Sequence, residues 1–255
     1  MESDFVCKGS IVRKIWGTSD TVLLVFAGSA AEFALNRSVD WLYFTGKLPA
    51  DPIGRLFSTV RYAREIVFSS YDAALAAIDQ ITAIHGKVEE SRGMKIPNNA
   101  YLGVLFMLID YTVRSFEFIE RRLTAAEKEE IYEVFYRLGM RMQLSGLPVD
   151  YRHWEKVREE YIIQDLVCSQ LTTDLYQRYR VALGGLRYKI LLGGQALLVP
   201  PRVKQLLDLP SGWWMRPVVA VYKVARRVRL GNAIKLLLLP KEYRGRVREL
   251  DLHPA

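Results

Sequence analysis

Between Tyr71 and Glu90 the apolar residues Ala74, Ala77, Ile78, Ile81, Ile84 and Val88, together with His85, recur three and four positions apart. That spacing lines one face of an α-helix and cannot line one face of a strand. Val22 to Asn36 is apolar with small residues, Pro52 to Phe68 is amphipathic, and Asn99 to Arg122 is apolar with a more polar side at Asp110, Arg114, Glu117 and Glu120. Strict apolar/polar alternation is missing, and the nearest approach to it, VVAVYKV at 218–224, fits a helix equally well. Thr124 followed by Glu127 forms a capping box that starts a helix running to about Leu144, where Ser145, Gly146 and Pro148 end it. Asp150 caps a helix from Tyr151 through Asp165, and Asp174 to Leu191 forms another before a break at Gly193 and Gly194. LVPPRVKQLLDLP then reads as a turn into a short helix. The expectation is an all-α fold of about eight helices on typical helix lengths.

With 255 residues, half of them hydrophobic, and no repeat or Pro/Gly/Ser-rich linker, the chain 1–255 reads as a single-domain helical bundle large enough to enclose a cavity. The opening MESDFVCKGSIVRKIWG lacks the pattern of a secretory signal, so a cytoplasmic location is expected. Cys7 and Cys168 are the only cysteines, too few for a disulfide framework or a cysteine-only metal site. His85, His153 and His253 show no paired metal-ligand spacing. The apolar runs TVLLVFAGSAAEFAL and YLGVLFMLI fall short of the roughly 20 residues that span a bilayer.

Charge is concentrated at one end. The segment 201–255 holds twelve Lys or Arg against four Asp or Glu, and so supplies the whole net charge of +8. In WWMRPVVAVYKVARRVRLGNAIKLLLLP the cations alternate with aliphatic and aromatic residues. Two readings stand: a helix packed on the core with basic flanks, or an amphipathic surface in peripheral contact with an anionic membrane. No nucleic-acid partner is expected, because no recognition motif accompanies the charge.

In DPIGRLFSTV, Arg55 and Thr59 stand about one helical turn apart with Ser58 between them. They form either a solvated face or one side of a cavity that holds an anionic or polar group. His85 on its apolar face is either a packed core residue or a ligand. A lone histidine suffices to hold haem iron, since the porphyrin supplies the other four nitrogens. A helical cavity lined by Ala, Ile, Leu and Phe suits a flat macrocycle whose propionates need Arg or Lys nearby, and Thr59 and Ser58 offer hydrogen bonds toward bound oxygen.

In chain order, IWGTSDTVLLVFAGSAAEFAL, DPIGRLFSTVRYAREIVFSS, AIDQITAIHGKVEE, YLGVLFMLIDYTVRSFEFIERRLTAAEKEEIY and LLVPPRVKQLLDLP resemble the MpaB-type oxygenase family, which includes the latex-clearing rubber oxygenases. The sharpest matches are Arg-x-x-x-Thr, here Arg55 and Thr59, and His-x-x-Val, here His85 and Val88. The resemblance implies an all-α domain binding b-type haem, with His85 as the proximal iron ligand and Arg55 and Thr59 lining the distal, oxygen-binding side. It further implies a haem-dependent oxidoreductase that uses dioxygen or peroxide, with an electron donor where the reaction needs one, to cleave, hydroxylate or desaturate a hydrophobic, isoprenoid- or lipid-like substrate. Where rubber-cleaving members carry a lysine before the threonine, this chain has Ser58. Leu105 stands in the place of a second histidine, and Glu89 and Glu90 follow where relatives have a glycine. Asp40 lies near the position of a proposed catalytic carboxylate, though an ordinary surface aspartate is the reading its residue type favours. Non-enzymatic haem or lipid carriage on the same scaffold is the alternative, and a helical interaction protein with a merely packed His85 is a third.

Overall fold

The computed structural model describes residues 3–228, 231–238 and 240–251. Arg229 and His253, singled out in the sequence, lie outside them. Among the described residues the chain is all-α, with fourteen α-helices and no named strand. The long ones are α2 (Ser19–Leu35), α5 (Pro52–Phe68), α6 (Tyr71–Arg92), α7 (Asn98–Ile119), α8 (Ala125–Arg141), α9 (Tyr151–Asp165), α10 (Gln170–Leu198) and α12 (Met215–Arg227). Six short helices raise the number above the eight expected: α1 (Ile11–Trp16), α3 (Val39–Phe44), α4 (Lys47–Ala50), α11 (Pro201–Leu206), α13 (Gly231–Leu238) and α14 (Arg244–Leu250). Helices of four to eight residues carry too few turns to show a hydrophobic period.

Helix α2 is buried on every face, as a sequence apolar all round requires, and packs against α7 and α10. Close approach to α7 depends on Gly28: a Cβ there would run into the ring of Tyr111. The one acidic residue in the middle of α2, Glu32, is buried and meets Arg158 of α9 in a bidentate pair at 2.6 and 2.5 Å. Arg158 also donates to Asp110 of α7 at 3.1 and 3.2 Å, and the Tyr111 hydroxyl donates to Glu32. Burial pulls the Arg158 pKa down, but Glu32 and Asp110 more than offset it, so the guanidinium stays charged. Three helices are thus tied through one cation.

The expected break at Gly193 and Gly194 is absent. Helix α10 instead breaks at Gly184, whose φ of 73° is left-handed and open to glycine at little cost. Gly193 sits inside the helix because the ring of Trp214 lies against it, 2.6 Å from where a Cβ would stand. Both cysteines are free and exposed. No described helix is long and apolar enough to cross a membrane.

Candidate active site

Helices α5 and α6 form a hairpin. Asp51 caps α5 by accepting from the Gly54 amide at 2.8 Å, and Pro52 fits its first turn. Only Ser69 and Ser70 separate the two helices. At ~1.5 Å per residue, Arg55 lies about 20 Å before the end of α5 and His85 about 21 Å beyond the start of α6, so the hairpin brings them level. Their proximity shows in the electrostatics. The His85 pKa is lowered, first by burial and then by the positive charge of Arg55, with Glu89 opposing both. Neutral imidazole, with a free lone pair, is therefore the resting form near neutral pH.

Ala74, Ala77 and Ile78 on the first half of α6 are buried in the core, but the apolar face does not stay covered. Ile84 is exposed, Ile81, His85 and Val88 are half-buried, and a Cβ on Gly86 would meet nothing within 4 Å. His85 Nδ1 is buried without a hydrogen-bond partner, and no hydrogen bond reaches either ring nitrogen among the described residues. The ring of Tyr101 from α7 tilts against the imidazole with centroids 5.2 Å apart. Glu89, one turn beyond His85, accepts from the Tyr101 hydroxyl, the Lys95 ammonium and the Ile96 amide at 3.3, 2.6 and 3.0 Å. It thereby pins the loop after α6 and the tyrosine beside the histidine.

On α5 the Arg55 guanidinium donates to the Thr59 hydroxyl at 3.0 Å, and no carboxylate pairs with it among the described residues. Burial lowers its pKa, with Tyr62 acting the other way. The Thr59 hydroxyl donates back to the Arg55 carbonyl at 3.3 Å. Ser58 turns inward on its own helix, donating to the carbonyls of Arg55 and Gly54 at 2.9 and 3.3 Å. The arrangement is a half-buried, unpaired cation steadied by a threonine, level with an unpartnered neutral histidine on an open apolar face.

The other candidates are held by partners of their own. Leu105 is buried on the core side of α7 against Gly139 of α8. Asp40 is held by Arg92 at 2.6 Å with its side chain 46% exposed, the environment of a surface ion pair. Arg92 stacks over Trp41, 4.0 Å from the ring centre, and buries an Nη1 that has no partner. It stands seven residues beyond His85, on the same face of α6. Tyr101, Glu89 and Arg92 received no site role from the sequence. Their only signal was position, one or two turns along α6 from His85 or in the next helix. A cleft of about 870 Å³, lined by Tyr176, Arg180, Tyr188 and Leu209 among others, lies elsewhere and contains none of Arg55, Ser58, Thr59 or His85.

A family model described as ER-bound oxygenase mpaB/B'/Rubber oxygenase, catalytic domain, matches residues 16–230. The chain belongs to that family. No curated protein and no solved structure matches it significantly. Arg55, Ser58, Thr59 and His85 all fall within the matched segment, so the hairpin is part of an mpaB/rubber oxygenase catalytic domain. Oxygenase chemistry is the class of activity that this membership brings.

Proposed function

We propose that the chain is a haem b-dependent oxygenase acting on a hydrophobic, isoprenoid- or lipid-like substrate with dioxygen or peroxide. The observation that carries this reading is His85: a neutral imidazole without a hydrogen-bond partner among the described residues, on an apolar helix face that is only partly covered. These residues fit a flat apolar macrocycle, for which Ile81, Ile84 and Val88 offer a surface and Gly86 leaves room. Bound haem would supply the iron at which oxygen is activated, with His85 as its protein ligand.

The chain's own side chains do the rest. Tyr101, fixed by Glu89, restricts rotation of the imidazole. Arg55 is a cation without a carboxylate partner and attracts an anionic group, a propionate or developing negative charge on oxygen, more strongly for being half-buried. Thr59 holds that guanidinium in one rotamer. Open apolar surface favours a substrate with little polarity. If both oxygen atoms enter the substrate, no external electrons are needed; hydroxylation or desaturation with dioxygen requires two from a donor, and peroxide brings its own.

The ultraviolet-visible spectrum of protein expressed with a haem precursor, beside His85→Ala, tests the reading. A Soret band that shifts or disappears in the variant is expected. No Soret band in the wild type, or an identical band in both, overturns it. The turned-in hydroxyls of Ser58 and Thr59 favour a second reading, a non-enzymatic haem or lipid carrier, since they leave Arg55 as the side-chain donor on this face. Oxygen or peroxide consumption with a reductant present separates the two.

A further inference from the structure

Helix α12 turns a mixed face to the core. Met215 and Ala225 are buried, and beside them Tyr222 donates to Asp20 at 2.6 Å while Arg226 pairs with Asp20 and Glu120, both at 2.6 Å. Lys235 of α13 joins them, 2.9 Å from the same Asp20 carboxylate. Asp20 lies in the first turn of α2, where the amide ends favour a negative charge. This part of the basic tail is thus held to α2 through its charges, beside the two buried apolar residues.

The outward face is apolar. Val218, Val221, Val224 and Val228 are exposed, Val221 by 66% and Val228 by 61%, and they recur every three or four residues along one side. Ala220 and Pro217 are exposed beside them, and Ala220, Val221, Val224 and Ala225 line a shallow depression. At the head of the helix, Trp214 packs on Gly193 while its neighbour Trp213 stands 71% exposed. Arg216 and Arg227 flank the valines along one edge, exposed and without an acidic partner among the described residues.

From this we infer that α12 is a membrane-docking helix, which lies in the headgroup region of an anionic bilayer with the valines and Trp213 buried and Arg216 and Arg227 on lipid phosphates. Charge complementarity selects this occupant. A tryptophan beside an apolar stripe with a cationic margin matches a layer that is greasy below and negatively charged above. A second copy of the chain would set these arginines against each other, as α12 carries no acidic residue to receive them. Docking does not depend on haem, and co-sedimentation reads it whatever the haem content.

Co-sedimentation with vesicles of phosphatidylcholine alone, or mixed with phosphatidylserine, tests the inference on the full chain. Binding to anionic vesicles at low salt is expected, with the tryptophan emission shifting to the blue and the shift reduced in Trp213→Phe. Val221→Asp with Val224→Asp should weaken binding by about tenfold or more, from lost apolar burial. Arg216→Gln and Arg227→Gln should each weaken it about fivefold, and only on anionic vesicles. All five side chains are exposed, so an unchanged circular dichroism spectrum and melting temperature confirm that the variants are folded. No binding to anionic vesicles at low salt overturns the inference. So does equal binding by the valine variant, or a dimer in sedimentation equilibrium that this variant dissociates.

Discussion

Replacing Arg158 with methionine keeps an unbranched apolar stem and removes the cation that joins α2, α7 and α9. Its side chain is 4% exposed and that of Glu32 is 2% exposed, so neither charge is solvated in the fold. The two carboxylates fare differently. Asp110 keeps Arg114, 2.6 Å away, while Glu32 keeps only the Tyr111 hydroxyl at 3.2 Å. The loss is therefore dominated by one uncompensated buried carboxylate, for which removing a partner costs about 3–5 kcal/mol. At roughly 2–4 °C per kcal/mol for a chain of this size, the melting temperature should drop by about 6–20 °C. Urea unfolding followed by far-ultraviolet circular dichroism measures the change. Adding Glu32→Gln to Arg158→Met removes the stranded charge yet keeps an acceptor for Tyr111, and should recover about 2 kcal/mol or more. A loss below about 1 kcal/mol for Arg158→Met, or no recovery in the double variant, would refute the claim that a desolvated ion pair holds these helices.

Gly28→Ala puts a methyl group into the Tyr111 ring, which also supports Glu32, and should cost about 1–3 kcal/mol in the same assay; a loss under about 0.5 kcal/mol would mean that α2 and α7 can separate freely. In haem-free protein the lowered pKa of His85 makes stability depend on pH. The unfolded chain takes up its proton first, near pH 6.5, so this contribution is complete above about pH 6.5, declines as the pH falls through that value and levels off below the folded pKa. The stability difference between wild type and His85→Gln should accordingly shrink from about pH 7.5 to about pH 5, and a difference that stays constant would contradict the burial of this imidazole.

Local chemistry was readable wherever a cap or a proline set a boundary. Asp51 with Pro52, Thr124 with Glu127, and Asp150 each start a helix where the sequence places it. Asn98–Ile119 and Tyr71–Arg92 differ from expectation by only a few residues at their ends. What long-range packing decides was not readable. Gly193 was expected to break α10, and only the ring of Trp214, some twenty residues away, explains why it does not. Arg55, Thr59 and His85 could be named and their helices drawn, yet periodicity alone could not say that the second half of the His85 face stays uncovered. The direction of α12 is the same problem in reverse. A hydrophobic period identifies a face but not what lies against it, and there the valine stripe stays exposed while Met215, Ala225, Tyr222 and Arg226 meet the fold. Glu32, alone within an apolar run, was the visible sign of the buried network; its partner Arg158 lies far away in sequence.

The α5–α6 hairpin has a bearing on how the molecule comes to be made. Arg55 and His85 are thirty positions apart and joined by a two-residue turn, so closing that loop costs little chain entropy. Pairing of α2 with α7, or of α12 with Asp20, must wait for far more distant segments. Both halves of the candidate site can therefore meet before those distant segments pair, and the later helices assemble beside a hairpin whose two key side chains are already in register.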